Sequence, residues 1–352
     1  MSVSFLTAEQ ERRYGRFNGA PTQEQMDRYF HLDDADLAMI GRRRWDPMHL
    51  GFAVQLGTVR FLGTFLADPT EVPPVVAATL ARRIGVADPG CLIHYREGTA
   101  RWQHAAEIRE AYGYREFADA TAQWRLLRWL YALCWTGTDR PSTLFDRATA
   151  WLVTHKVLLP GATVLERTIA RVRARANSRL WRLLAARITP EQKKRLDALL
   201  APPEGGRQSP MDRLRSGPTR QSTAELTRAL QRLDEVRQLA AGLPRTDRLP
   251  KTRVLALARF AGAAKAQAVA RLPDERRVAT LLAFIRALEA SAQDDALDLF
   301  EQLITRLFAA AIRTGRAARL RSLRDLDAAA LTLSQVCTRL LDAQPVDCAL
   351  PL

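Results

Sequence analysis

Apolar residues recur three and four positions apart along almost the whole chain, and no stretch alternates apolar with polar residues as a half-buried strand requires. The period predicts an all-α protein. Its clearest instance starts at Thr163, where Leu165, Ile169, Val172, Ala176, Leu180 and Leu183 fall on one stripe and Thr163 with Glu166 has the spacing of a capping box. Other helix boundaries carry their own signals. "TQEQ" at 22–25 is a capping box, Asp46-Pro47 reads as an N-cap followed by proline at the first helical position, and Gly85 and Gly113 stand where C-caps belong. Ser222 and Glu225 open a helix whose Leu226, Leu230, Leu233 and Val236 share a side. Two further amphipathic segments follow. One has Val278, Leu281, Leu282, Ile285 and Leu288 as its stripe; the other begins at Asp294-Asp295, read as a helix-start pair like Asp33-Asp34. No repeat of fixed period makes the chain a solenoid.

A chain of 352 residues is too long for one ordinary core. The pattern predicts a helical array in several domains: 1–115, 116–200, a linker at 201–221, and an incomplete scaffold or dimerisation region at 222–352. The linker, "APPEGGRQSPMDRLRSGPTRQ", is rich in Pro, Gly, Ser and Arg, has little to bury, and reads as a basic extended arm. In the second domain a helix from about Ser142 to His155, a turn through Leu158–Gly161 and the helix from Thr163 have helix-turn-helix spacing.

Charge narrows the partner. The formal net charge is +15, and residues 161–260 hold 22 basic against 9 acidic side chains, so the positive field is concentrated there. Codon bias explains a preference for arginine over lysine, but not the surplus. Nucleic acid fits better than a membrane surface, because no polybasic stretch flanks an apolar anchor. At about 100° per residue, Arg167, Arg171, Arg175, Arg179 and Arg182 share an arc of roughly 120° beside the apolar stripe.

The triplet Arg42, Arg43 and Arg44 cannot project from one helical face, so it belongs at a helix end. There, cations offset the negative end of the helix dipole, and that alone accounts for such a run. The next helix starts almost at once at Asp46-Pro47, which places the arginines and His49 at a tight junction that suits a phosphate. "LGFAVQLGTVRFLG" behind it is the packed supporting helix, with Gln55 and Arg60 its less buried positions. Trp124, Trp129, Trp135, Trp151 and Trp181 read as core anchors, whereas Trp45 and Trp102, each beside an arginine, are contact candidates.

Enzyme signatures are missing: the chain has no Gly-rich phosphate loop, nucleophile elbow or metal-ligating His pair. Cys91, Cys134, Cys337 and Cys348 lie far apart, and His31, His49, His94, His104 and His155 have no ligand spacing, so no disulfide framework, metal site or cofactor is expected. "LLRWLYALCW" at 126–135 is short, contains Arg128 and predicts a buried helix rather than a membrane span.

Several separated stretches resemble the N-terminal region of the Tn-three family of replicative transposases. They are "LTAEQERRYGRF", "HLDDADLAMIGRRR", "LGFAVQLGTVRFLGTF", "WQHAAEIREAYGYREF", "LPGATVLERTIARVRARA", "SPMDRLRSGPT" and "RLPDERRVATLLAFIRALEASAQDDALDLF", in order from about Leu6 to about Leu341. The resemblance implies an all-helical region that binds the terminal inverted repeats of a transposon, followed by helices that build a dimer. It also implies a separate RNase-H-like catalytic domain with two Asp and one Glu around divalent metal, which lies beyond the matched region. No catalytic residue is carried over. The tail "AQPVDCALPL" does not continue the pattern, as in a truncated or frameshifted copy.

The expected function is sequence-specific binding of double-stranded DNA at terminal inverted repeats, by domains 1–115 and 116–200, in the bacterial cytoplasm and on the nucleoid. Charge geometry nominates Arg42, Arg43, Arg44, His49, Arg60, Arg101, Trp102, Arg109, Arg140, Thr163, Arg167, Arg171, Arg175 and Arg179 as DNA contacts. The alternative is an interaction protein, homodimeric or paired with a full-length transposase that it inhibits. A self-sufficient catalytic transposase is disfavoured, since no carboxylate trio is found.

Overall fold

The computed structural model describes residues 5–203 and 205–342; the tail from Ala343 and Cys348 within it lie outside the described residues. Every regular element among them is a helix, as the periodicity predicts, and the sole extended pairing is an isolated bridge between Arg115 and Val157. Contact density divides the chain into a first unit, Met1–Arg187 with Thr246–Leu257, and a second, Ile188–Arg245 with Ala258–Leu352.

The first unit opens with short helices α1 (Ala8–Arg13), α2 (Gln23–Tyr29) and α3 (Asp34–Ile40), followed by α4 (Asp46–Leu62). Then come α5 (Pro74–Ile84), α6 (Leu92–Glu97) and α7 (Ala100–Ala111). From Leu50 to Val59, α4 has no charged side chain on any face, and every residue there is buried beneath α2, α3, α5, α6 and α7. Two glycines let neighbours come close. A Cβ at Gly51 would lie 2.3 Å from the Tyr95 ring, and one at Gly57 2.4 Å from the Phe30 ring. Gln55, expected to be among the less buried positions, is 3% exposed, because its Nε2 donates to Tyr95 Oη (2.8 Å) and to the Arg101 carbonyl (3.1 Å).

A second core joins α8 (Ala120–Thr136), α9 (Pro141–Thr154) and α10 (Ala162–Ala185) through Leu126, Leu130, Phe145, Leu152, Leu165 and Ile169. The connection from α9 to α10 is fixed by Lys156 in the left-handed region (φ 52°) and by the bridge. Arg115 N donates to the Lys156 carbonyl (2.8 Å), and Leu158 N to that of Arg115 (2.9 Å). Tyr14 Oη donates to the Pro160 carbonyl (2.9 Å) and Phe5 N to the buried Glu166 carboxylate (3.1 Å), so the start of α10 is tied at several points.

The second unit contains α11 (Pro190–Ala198), α12 (Pro210–Leu214), α13 (Thr223–Ala240), α15 (Ala266–Ala270) and the 69-residue α16 (Asp274–Asp342), while the unit division falls inside α14 (Lys251–Ala263). Ala229 and Leu233 of α13 pack on Ala292, Ala296 and Leu299 of α16. Val278, Leu281, Leu282, Ile285 and Leu288 are buried, as their stripe predicts.

Local details depart from expectation. Asp294 and Asp295 do not start a helix, because nothing between Ala290 and Asp294 breaks α16; Asp295 instead accepts from Arg232 Nη1 (2.6 Å). Asp33 does cap α3. Trp45 is the N-cap residue of α4, which moves Asp46 into the first turn, where its charge still favours the dipole. Helix α10 starts at Ala162 after Gly161, so Thr163 is already inside it and makes no cap. Segment 201–221 is not wholly extended: Ser209 caps α12, and Met211 and Leu214 are buried. No helix among the described residues is long and apolar enough to cross a membrane.

Candidate nucleic-acid interface

Each arginine of the first unit is placed by whether a carboxylate or carbonyl lies within reach. In the triplet, Arg43 turns inward with its side chain 8% exposed. Its guanidinium donates to the Met39 carbonyl, pairs with Glu107 and lies 4.0 Å from the Phe52 ring centroid. Its carbonyl in turn bonds His49 Nε2 (2.8 Å), so both belong to the packing of the α3–α4 junction. Arg42 and Arg44 remain exposed beside Trp45, itself 71% exposed.

Arg60 is bound bidentately by Asp36 (2.8 Å for both bonds). Burial pushes the Asp36 carboxyl up, but the bonds from Arg60, Tyr112 and the Asp33 amide outweigh it and leave the group below its ordinary value. Arg109 pairs with Glu116. Arg101 donates to the Ala67 carbonyl (3.2 Å) and lies over Trp102, which is 66% exposed. Arg101, Trp102 and Arg109 line a common cavity of about 210 Å³ with Gln55 and Glu116. Arg140 is exposed just before Pro141 opens α9.

Helix α10 differs. Its stripe from Leu165 to Leu180 is buried and continues at Leu184; Leu183, assigned to it from the sequence, is 41% exposed. On the other side Arg167, Arg171, Arg175, Arg179 and Arg182 are all exposed. The helix has one carboxylate, Glu166, and it is buried. The neighbouring α8 has none. Arg179 is steadied by Tyr131 Oη (3.2 Å) and lies 5.0 Å from the Trp135 ring.

The sequence reading missed the near wall of this face. Helix α8 is buried only along Ala122, Leu126, Leu130 and Cys134, so Trp124, expected in the core, is 59% exposed with Arg128 over its ring (5.3 Å). The signal was present, since Trp124 falls between the buried positions 122 and 126 rather than on their stripe. Between α8 and α10 runs a groove of about 450 Å³. Among the described residues no three His, Cys, Asp or Glu side chains converge as a metal site.

Fold and surface together define an all-helical protein with an arginine ridge, on a braced helix, that no carboxylate of α8 or α10 faces. Residues 5–172 match a domain of unknown function, DUF4158, and the chain is similar to transposases of the Tn-three family. Over 343 residues it is 44% identical to the transposase for transposon gamma-delta of Escherichia coli strain K12, covering 97% of this chain and 34% of that protein. The transposase for transposon Tn501 of Pseudomonas aeruginosa is 29% identical over 291 residues, covering 82% of this chain and 29% of that protein. The chain thus spans about a third of the length of these curated relatives.

Proposed function

We propose that this chain serves DNA transposition by binding duplex DNA at transposon terminal inverted repeats, with α10 as its principal contact. The observation that carries the reading is the ridge Arg167, Arg171, Arg175 and Arg179, exposed and facing no carboxylate of α8 or α10. Phosphates are the natural counter-charge for such a row, while base edges would be read from the first turn, near Thr163. Arg42, Arg44, Arg140 and the Arg101–Trp102 pair extend the contact. Arg43, Arg60 and Arg109 support the fold and are left out of it.

The test is a fluorescence-anisotropy titration against an inverted-repeat duplex from the chain's own element and a scrambled duplex, over a series of salt concentrations. A preference of about a thousandfold, with log affinity falling steeply with log salt, is the expected result. Replacing Arg167 and Arg171 with Glu abolishes binding while leaving the circular-dichroism spectrum intact. Undiminished binding by that variant overturns the assignment of α10.

A second reading, pairing with another copy or with a full-length transposase, is favoured by α16, where Leu307, Phe308, Ile312, Leu320 and Leu323 are all exposed. Sedimentation after nuclease treatment tests it, since a pair held by this face survives removal of DNA.

A further inference from the structure

The groove between α8 and α10 has a different chemistry from the ridge beside it. Its floor is apolar, formed by Leu127 and the buried Val172. One wall is aromatic: Trp124 stands exposed, and Tyr131 stacks on Trp135 with centroids 6.2 Å apart and planes within 8°. The rim carries Arg128, Arg175, Arg179 and Arg182, and none of the lining residues is acidic. Phosphates of an intact duplex would satisfy the rim alone. They leave no role for an indole that is 59% exposed with a guanidinium over its face, or for an apolar floor below it.

We infer that this groove takes an unstacked nucleotide of a DNA strand, its base against Trp124 and Leu127 and its phosphates on Arg128, Arg175 and Arg179. Every base has a π face, so stacking on an exposed aromatic between cations is tolerant of sequence and is the usual device for holding unpaired strands. A volume of about 450 Å³ is within the range of small-molecule sites and accommodates a nucleotide. Arg179 is already oriented by Tyr131 and Trp135, so little of its freedom is lost on binding.

The inference deepens the proposed function by adding unpaired strands to the DNA that this region binds. Its test separates the two. The full 352-residue chain and its Trp124→Ala variant are titrated with a fluorescein-labelled oligothymidine of twenty nucleotides and with a blunt inverted-repeat duplex. Trp124 is 59% exposed and lies off the buried stripe of α8, and equal unfolding midpoints confirm that the variant is intact. The expected result is a loss of at least about fivefold on the oligothymidine, with duplex affinity unchanged within twofold. Trp124→Phe restores most of the loss. Equal oligothymidine affinity in the wild type and Trp124→Ala overturns the inference, as does an equal loss on both DNAs. A wild type that binds the oligothymidine through Trp124 but not the duplex overturns the duplex reading and leaves this one standing.

Discussion

Arg43 sits between two exposed arginines of the same triplet, and the three side chains should behave differently when removed. Arg43→Ala deletes a guanidinium whose side chain is 8% exposed, breaking its bond to the Met39 carbonyl, its pair with Glu107 and its contact with Phe52 at 4.0 Å. Removing one member of a buried pair costs about 3–5 kcal/mol, and a desolvated cation over an aromatic ring contributes about 2 kcal/mol of that kind of energy. Glu107 is 40% exposed and recovers water once released, so the loss falls at the low end, about 3 kcal/mol. Arg42→Ala and Arg44→Ala, at exposed positions, stay within about 0.5 kcal/mol. Urea unfolding followed by circular dichroism reads the difference as a lower midpoint at unchanged slope for Arg43→Ala alone. In DNA titrations the roles reverse: Arg42→Ala and Arg44→Ala each flatten the log–log salt dependence by about 0.9 if they meet phosphates. An Arg43→Ala protein as stable as the wild type would refute the assignment of this side chain to the packing.

Two other predictions concern the core around α4. His104 is 8% exposed, stacked on Tyr95 and edge-on to Phe52, and burial first, then the Arg43 charge, push its pKa down to about 4 against a smaller opposing pull from Glu107. The unfolded chain therefore binds a proton near pH 6.5 that the folded protein refuses until about pH 4, so stability is complete above the first value and falls as pH drops between them, by at most about 3 kcal/mol. Urea midpoints from pH 7.5 to 4 should show this decline, and His104→Gln should flatten it; a decline equally steep in the variant would place its origin elsewhere. Gly57→Ala puts a methyl 2.4 Å from the Phe30 ring, which is 1% exposed and in contact with Phe17 and Phe61. Overpacking of about 1–3 kcal/mol exceeds the roughly 1 kcal/mol gained in helix propensity, so the variant unfolds at lower temperature; a higher midpoint would show that Phe30 yields freely.

The helices were legible because their signals are local. Thr22 with Gln25 forms its capping box, Gly85 ends α5 in the left-handed region, and the stripe from Val278 to Leu288 is buried as its spacing requires. The roles of the arginines were not legible, because the deciding partner is remote in sequence: Glu107 is 64 positions from Arg43, and Asp36 is 24 from Arg60. Periodicity places a charge on a face without saying what stands opposite it. Trp124 was missed for a different reason: its type suggests a core, while its position on α8 does not. Thr163 was misplaced locally, because a helix start two residues earlier turns a cap into a first-turn position.

What distinguishes α10 is a row of like charges that no carboxylate of α8 or α10 faces. Arg167, Arg171, Arg175 and Arg179 are successive four-residue neighbours, and each like-charged pair at that spacing disfavours a helix by roughly 0.2–0.5 kcal/mol, about 1 kcal/mol over three pairs. Arg60 and Arg109, by contrast, each have a carboxylate partner, Asp36 and Glu116. On α10 the cost is instead absorbed by the buried stripe and by the ties at Glu166 and Pro160, which hold the helix whatever its surface charge. A ridge maintained in this way gains most from a partner bearing regularly spaced negative charge. This regular row of cations, more than the total of +15, suits a nucleic-acid backbone rather than a diffuse attraction for anions.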